Sequence, residues 1–334
     1  MPRHITFAFP GQGSQFPSML NDLPSSYLSQ IKEDVIDALD FNLFEAVENE
    51  SKLDKTSITQ PAILLASYLQ FKYLTETTSI KPDLLCGHSL GEYSALVAAG
   101  SIDLIDAIKL VHERGKLMEN ANEGHMYAIL NTPLELIKKL CNFASQELDQ
   151  IVAPANINSP KQVVISGDKQ AVDLTVRYLK DNGVKKCIKL NVSAPSHCKL
   201  MKNSADKFAD IISKTHFDEP KYNVIHNVDV SITSDISEIK NKLIDQLTKP
   251  VQWVKTMEYI KQYQGIFIEC GPKNVLSGLA KANAVDNIYS SSSDNFFDKI
   301  EQILLLKEMF LYQVPQEELE RILQFNFLKI TTML

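Results

Sequence analysis

The feature that most restricts the fold of this chain is a short apolar segment that passes through a glycine-flanked serine into a helix-forming segment. Residues 84–86 are apolar, Gly87-His88-Ser89-Leu90-Gly91 follows, and helix-forming residues continue to Gly100. A GxSxG nucleophile elbow needs this strand–turn–helix context, because the glycines permit a tight turn that lifts the serine hydroxyl above the sheet. Free N–H groups at the helix N-terminus then stabilise an oxyanion. The pattern predicts Ser89 as a nucleophile, and the alternative is a Gly-Ser loop without function.

The rest of the chain predicts an α/β fold with a mostly parallel sheet, because strand-like and helix-like apolar segments alternate. Residues 122–194 differ, since their order β-α-β-β-α-β is a split βαβ unit of ferredoxin-like type. Thr132-Pro133-Leu134-Glu135 is a capping box that predicts Thr132 as the cap of its first helix. We predict an α/β-hydrolase-like core at 1–121 and 195–285, a ferredoxin-like subdomain at 122–194, and a helical C-terminal extension of unknown role at 286–334.

Composition excludes several function classes. The chain has 334 residues, and its 34 Lys and Arg against 41 Asp and Glu give a net charge of −7. No global basic field therefore attracts nucleic acid or a membrane surface. The 5 cysteines are scattered without a CxxC pair, so neither a metal site nor a disulfide framework is predicted. We see no signal peptide or membrane-length apolar run and expect a cytoplasmic protein, or one in an organelle lumen after import.

A serine nucleophile needs a base, and the chain offers 7 histidines. We favour His197, because it follows the last strand of the subdomain in a loop of small residues and Pro195, where the chain re-enters the core. The residue pattern alone leaves the other histidines open. The loop Gly11-Gln12-Gly13 suggests a dinucleotide site, but Phe16 occupies the third glycine position of GxGxxG, which argues against one.

Arg114 lies at the edge of an apolar helical stripe that begins at Leu104 and ends at Met118. A permanently charged guanidinium in this position must snorkel to water, pair with a protein carboxylate, or bind an anion. In the third case the anion is a substrate carboxylate held by two parallel hydrogen bonds. The sequence pattern does not decide among these three interpretations.

Taken together, the motifs resemble the malonyl-CoA:acyl carrier protein transacylases and the related acyltransferase domains of fatty acid and polyketide synthases. The matching motifs occur in family order over roughly residues 1–285: Phe9-Pro10-Gly11-Gln12-Gly13-Ser14-Gln15, Thr59-Gln60-Pro61-Ala62, Gly87-His88-Ser89-Leu90-Gly91-Glu92-Tyr93-Ser94-Ala95-Leu96, Arg114-Gly115-Lys116, Asn158-Ser159-Pro160, Gln162-Val163-Val164-Ile165-Ser166-Gly167, Pro195-Ser196-His197-Cys198, Asn227-Val228-Asp229-Val230, Pro250-Val251-Gln252-Trp253 and Glu269-Cys270-Gly271-Pro272. The chain departs from the family at Lys273, where a second glycine is common, and residues 286–334 match nothing.

The resemblance implies a role for each matched residue. Ser89 is the acyl-accepting nucleophile, His197 is its general base, and the main-chain carbonyl of Gln246 orients the histidine. The side chain of Gln12 and the backbone N–H of Leu90 form the oxyanion hole. Arg114 binds the free carboxylate of the malonyl group.

The activity that the resemblance implies is transfer of malonyl from malonyl-CoA to the phosphopantetheine thiol of holo acyl carrier protein, through a malonyl-serine. Apart from these two substrates we predict no cofactor, and we expect a monomer. The carrier protein is acidic, so we suggest five lysines as its docking rim: Lys185, Lys186, Lys189, Lys199 and Lys202. The alternatives are a trans-acting acyltransferase that loads polyketide synthase carrier domains, an acyl-thioester hydrolase, and a non-catalytic carrier-binding protein.

Overall fold

The computed structural model describes residues 4–300, apart from residues 22, 79, 193, 295, 297 and 298. Its strands are β1 Ile5–Phe9, β2 Leu84–Gly87, β3 Gly124–Leu130, β4 Val152–Ser159, β5 Gln162–Asp168, β6 Cys187–Lys189, β7 Asn223–Ile225, β8 Ile266–Glu269 and β9 Ile288–Ser290. Its α-helices are α1 Ser25–Leu39, α2 Leu43–Val47, α3 Glu50–Leu53, α4 Thr56–Thr77, α5 Gly91–Ala98, α6 Leu104–Glu119, α7 Leu134–Leu148, α8 Lys169–Asp181, α9 Lys202–Lys214, α10 Ile236–Asp245, α11 Trp253–Lys261 and α12 Val275–Ala282. A short 3₁₀ helix, Lys199–Met201, precedes α9.

The main sheet is parallel and has the strand order β7-β2-β1-β8-β9. Every residue of β1, β2 and β8 is buried, because helices cover both faces of the sheet. Such strands read as continuous apolar runs instead of an alternating pattern. In this sheet the carboxyl ends of β1, β2 and β8 share one edge, and that edge is where open α/β sheets bind ligands.

The smaller sheet is antiparallel, with the order β4-β5-β3-β6. Helices α7 and α8 pack together and enclose a separate apolar core with the sheet. The strand order is the one that a split βαβ unit with an added terminal strand produces. Both parts of the predicted fold class are therefore present, whereas the predicted domain boundaries stay a prediction.

One local prediction was wrong. Helix α7 begins at Leu134 with no side-chain cap, and the Thr132 hydroxyl instead donates to the carbonyl of Leu130, at 3.1 Å. The strand has just ended there, so a strand carbonyl takes the hydroxyl that the capping box would use. At the start of the predicted C-terminal extension, Ile288–Ser290 pair with β8 as an edge strand. From residue 301 onward, the predicted extension lies outside the described residues.

In the described part of the chain, no helix is both long enough and apolar enough to cross a membrane.

Candidate active site

Ser89 lies at the carboxyl end of β2, immediately before α5, with a φ of 52°. This left-handed backbone costs a non-glycine residue about 1–3 kcal/mol, and such strain persists only where the surroundings enforce it. Close packing enforces it here, because a Cβ atom on Gly91 would lie 1.9 Å from the carbonyl oxygen of Phe9. The glycine lets the first turn of α5 press against the end of β1, which holds the serine at the sheet edge.

Asn227 holds the elbow from the other side. Its side-chain oxygen accepts from the backbone N–H of Ser89 at 2.7 Å, and its amino group donates to the carbonyl of Gly87 at 2.7 Å. One buried amide thus joins the residues before and after His88. Asn227 belongs to the motif Asn227-Val228-Asp229-Val230, for which no role was predicted.

The Ser89 hydroxyl contacts the ring of His197, with 2.8 Å between Oγ and Nε2. The other ring nitrogen, Nδ1, lies 2.6 Å from the main-chain carbonyl of Gln246. Since a carbonyl only accepts, the proton resides on Nδ1 and Nε2 is free to accept from the serine. Burial, and then the nearby charge of Arg114, lower the pKa of His197 to about 3. The imidazole is therefore neutral at physiological pH, which is the state that a general base requires.

The remaining histidines have other partners. His88 Nε2 lies 2.8 Å from Asn158 Oδ1, and its ring meets Trp253 edge-on. His226 Nδ1 lies 2.7 Å from a carboxylate oxygen of Glu92. The structure therefore separates His197 from the histidines that the sequence pattern left open.

Arg114 on α6 is only 1% exposed, so the snorkelling interpretation is wrong. Its Nη1 donates to Gln60 Oε1 at 2.9 Å, and its Nη2 donates to Gln246 Oε1 at 2.9 Å. Nη2 also lies 3.4 Å from Ser89 Oγ. A cation and a nucleophile thus share one site. Burial lowers the pKa of the guanidinium, although an arginine stays protonated under ordinary conditions.

The packing of α4 against α6 brings the arginine to Gln60. A Cβ atom on Gly115 would lie 2.5 Å from Ser57 Cα, so the glycine allows the two helices to approach closely. Pro61 lies inside α4 and has no N–H to give to the carbonyl of Ser57, four residues earlier. His112 on α6 fills this gap, with 2.7 Å between Nδ1 and that carbonyl oxygen.

The two residues predicted for the oxyanion hole border the elbow. Leu90 is buried and immediately precedes α5. Gln12 is exposed, with Nε2 donating to Thr56 Oγ1 at 3.4 Å and Oε1 accepting from Gln60 at 3.4 Å. A Cβ atom on Gly11 would lie 3.7 Å from the Leu90 nitrogen, so the Gln12 loop runs alongside the turn. Their role in binding an oxyanion stays a prediction.

The five predicted docking lysines are all exposed. Lys185, Lys186 and Lys189 lie on or just before the edge strand β6, with Lys189 Nζ 2.9 Å from His125 Nε2. Lys199 and Lys202 lie just after His197, and Lys202 forms an ion pair with Asp206. The docking role of these residues stays a prediction.

Three further residues of the matching motifs, Gln60, Glu92 and Asn227, lie in the site without a predicted role. Each is a buried polar side chain, and buried polar groups need specific partners. That signal was visible for Glu92, a carboxylate inside the apolar helix that follows the elbow. The partners of all three residues lie far away along the chain, so the sequence alone could not predict their roles.

The arrangement is suited to acyl transfer at a group that carries a negative charge. A strained serine contacts a neutral base, a carbonyl orients the base, and a buried guanidinium lies beside the serine oxygen. Among the described residues, no cluster of three or more His, Cys, Asp or Glu could hold a metal ion.

Comparison with known proteins gives consistent results. A family model described as an acyl transferase domain matches residues 6–288. The malonyl CoA-acyl carrier protein transacylase of Escherichia coli (strain K12) is 42% identical over 297 residues, covering 86% of this chain and 95% of that protein. The solved malonyl CoA-acyl carrier protein transacylase from Coxiella burnetii is 39% identical, with a TM-score of 0.85, and the match covers 90% of this chain and 98% of that one. A malonyl-transacylase solved in complex with a type II polyketide synthase acyl-carrier protein is 41% identical, with a TM-score of 0.81, and the match covers 86% and 94% of the two chains.

Proposed function

This chain belongs to the acyl transferase domain family, and we propose that it transfers the malonyl group from malonyl-CoA to the phosphopantetheine thiol of acyl carrier protein for fatty acid biosynthesis. The predictions of family and enzyme class are confirmed. The observation that carries the proposal is the position of Ser89 Oγ, which lies 2.8 Å from the base His197 and 3.4 Å from the buried cation Arg114. A nucleophile between a base and a cation fits a thioester whose acyl group ends in a carboxylate.

In the first half-reaction, His197 Nε2 removes the hydroxyl proton as Ser89 Oγ attacks the thioester carbonyl. The Gln246 carbonyl stabilises the imidazolium through Nδ1–H. Negative charge develops on the thioester oxygen, and the Gln12 side chain and the backbone N–H of Leu90 are our candidates to bind it. The C–S bond then breaks, the imidazolium protonates the departing coenzyme A thiolate, and malonyl remains esterified to the serine.

In the second half-reaction, the carrier phosphopantetheine thiol enters where coenzyme A left. His197 removes the thiol proton, the sulfur attacks the malonyl-serine carbonyl, and the serine leaves with a proton from the imidazolium. The thiol of coenzyme A and the thiol of the carrier use one site in turn, so ping-pong kinetics follow.

Arg114 supplies the selectivity for malonyl over uncharged acyl groups. A substrate carboxylate forms charge-assisted hydrogen bonds with the buried guanidinium, whereas an acetyl group leaves it without an anion. A site built around a buried polar group rejects analogues that cannot pair with it far more strongly than a purely apolar pocket does.

A second candidate is the loading of polyketide synthase carriers by the same chemistry. The similarity to a malonyl-transacylase solved with a type II polyketide synthase acyl-carrier protein favours it. The two candidates differ in the carrier and not in the reaction. The monomeric state and the cytoplasmic location stay predictions.

Incubation with malonyl-CoA and each purified holo carrier protein, followed by mass spectrometry of the carriers, tests the proposal. We expect malonyl on the fatty acid carrier at a higher kcat/KM than on polyketide carriers. The reverse order would favour the second candidate, and no transfer to any carrier would exclude both. A Ser89→Ala variant should bind no radiolabelled malonyl covalently, and labelling of that variant would identify a different nucleophile.

A separate test addresses the arginine. An Arg114→Ala variant should lose malonyl transfer by about 100-fold or more, because a charge-assisted pair in a desolvated site is lost. Acetyl transfer should change much less, since that acyl group never paired with the cation. Rates of Ser89 acylation by malonyl-CoA and acetyl-CoA provide the ratio. An unchanged ratio would remove the arginine from the specificity site.

A further inference from the structure

The contacts of Arg114 are unusual for a buried cation. Its two terminal nitrogens donate to amide oxygens, Gln60 Oε1 and Gln246 Oε1, each at 2.9 Å. Nη1 also lies 3.3 Å from Met118 Sδ, and the guanidinium lies 5.4 Å from the centre of the Tyr93 ring. All of these groups are neutral. Among the ion pairs between described residues, none involves Arg114, and its buried Nε has no hydrogen-bond partner there.

A buried carboxylate is available nearby but is held away. Glu92 is fully buried and acts electrostatically on Arg114. One of its oxygens lies 2.7 Å from His226 Nδ1, and the other accepts from Gln246 Nε2 at 2.6 Å and from the Asn227 N–H at 3.2 Å. The Gln246 amide therefore lies between the cation and the anion, accepting from one and donating to the other.

The chemistry of an amide explains why this arrangement matters. An amide oxygen satisfies a guanidinium N–H without cancelling its charge, whereas a carboxylate in the same position would form a buried ion pair. A substrate carboxylate would then have to compete with a carboxylate of the protein. At Gln60 the orientation of the amide is fixed by the arginine, since only Oε1 can accept from Nη1.

We propose that Gln60 and Gln246 are specificity-determining residues, whose side-chain amides hold Arg114 in place without neutralising it. The cation is thereby reserved for acyl groups that carry a free carboxylate. This role of Gln246 is separate from that of its main-chain carbonyl, which contacts His197. The inference rests on the proposed function, because it presupposes that malonyl is the acyl group transferred.

The test replaces the Gln60 amide with a carboxylate of nearly the same shape. In Gln60→Glu, the new carboxylate meets Nη1 and takes the place of the substrate anion. We expect kcat/KM for malonyl-CoA to fall about 100-fold, the scale on which buried charged pairs control substrate choice. The value for acetyl-CoA should fall about tenfold less, because acetyl has no carboxylate to displace and only the contacts that the Gln60 amide nitrogen donates to Gln12 and Met118 are lost. Gln60→Met removes the hydrogen bond without adding charge and should lower the malonyl rate by only about tenfold.

Gln70→Glu is the matched control, because Gln70 lies on the same helix, α4, and receives the same substitution. Its Oε1 accepts from the Gly271 N–H at 2.8 Å and from the Ser291 hydroxyl, and a carboxylate keeps both acceptor contacts. The malonyl-to-acetyl ratio of this variant should equal that of the wild type. Circular dichroism and thermal unfolding establish that each variant is folded.

If Gln60→Glu does not fold, Gln246→Met replaces it as the test. This variant keeps the main-chain carbonyl that contacts His197 and removes the amide between Arg114 and Glu92, so the malonyl-to-acetyl ratio should fall by about tenfold or more. A wild-type ratio in folded Gln60→Glu, or in Gln246→Met, would overturn the inference. A wild-type enzyme without any malonyl preference would instead contradict the proposed function, so the two failures are distinguishable.

Discussion

His197 acts beside a permanent cation, which sets its acid–base behaviour. Burial and the charge of Arg114 both oppose protonation of the ring, and together they lower its pKa to about 3. A substrate carboxylate on Arg114 would cancel part of that charge and make the base stronger when malonyl is bound. An acetyl group brings no such compensation, so the cation affects both binding and proton transfer.

This electrostatic coupling predicts a shift in the pH profile. The neutral ring is the active form, so acylation is present above the pKa of the folded enzyme and is lost as the pH falls through it. Arg114 lowers that pKa, and Arg114→Ala should therefore move the acid limb to higher pH. The measurement is kcat/KM for acetyl-CoA between about pH 2.5 and pH 8, which covers both the lowered pKa of about 3 and the ordinary histidine range. Acetyl is chosen because it has no carboxylate of its own to titrate.

Lys199→Ala serves as the control for this shift. Lys199 is also a cation close to His197 in sequence, but it is exposed, so solvent screens its charge. Its removal should leave the acid limb in place. Coincident acid limbs in the wild type and Arg114→Ala would show that burial alone sets the pKa.

What the sequence predicted at this scale depended on distance along the chain. Ser89 was predictable because its strand, glycines and helix are contiguous and the strain of the turn is local. The Ser89–His197 contact joins residues 108 positions apart, and Arg114 meets Gln60 and Gln246 across 54 and 132 positions. No local pattern encodes such pairs. Without the family resemblance, His197 was the favoured candidate among 7 histidines but was not established as the base, and Arg114 had three interpretations.

The same reasoning applies to whole elements. The buried strands β1 and β2 were predictable from the pattern of apolar residues. The same pattern predicted the order of strands and helices, β-α-β-β-α-β, that forms the smaller sheet and its two helices. The strand β9 is only three residues long and forms by pairing with β8. A segment this short has no apolar periodicity from which it could be predicted. The Thr132 hydroxyl could serve either as a cap for the N–H groups of α7 or as a donor to a strand carbonyl, and it donates to the carbonyl of Leu130, where β3 ends.

At the element scale, two helical glycines should respond oppositely to alanine. Gly91→Ala forces a Cβ atom to 1.9 Å from the Phe9 carbonyl oxygen, which separates α5 from β1. We expect a loss of about 3 kcal/mol or more in the free energy of unfolding, together with loss of Ser89 acylation in the molecules that remain folded. In α12, a Cβ atom on Gly278 meets nothing within 4 Å, and Gly278→Ala should gain about 0.5–1 kcal/mol from helix propensity. Thermal unfolding of both variants provides the comparison, and equal effects would contradict the close approach at the elbow.

At the scale of the whole molecule, the net charge of −7 restricts how an acidic carrier can bind. The average field repels such a partner, so encounter depends on a local cationic surface. Lys185, Lys186 and Lys189 are the strongest candidates, because they lie together on or just before the edge strand β6, whereas the charge of Lys202 is partly compensated by Asp206. Surface charges act within a Debye length of about 10 Å at 0.1 M salt, so their contribution should weaken as salt is added.

Charge reversal of these three lysines to glutamate should raise the KM for holo carrier protein by about tenfold at low salt, with a smaller effect at high salt. The rate of Ser89 acylation by malonyl-CoA should be unchanged, because that half-reaction does not involve the carrier. Lys139→Glu on the exposed side of α7 alters a lysine of the same subdomain and should leave the carrier KM unchanged. A wild-type carrier KM in the triple variant would exclude this edge as the docking surface. A rise in the KM for malonyl-CoA would instead assign the lysines to the phosphates of coenzyme A, because those phosphates are anionic groups that remain outside the acyl site.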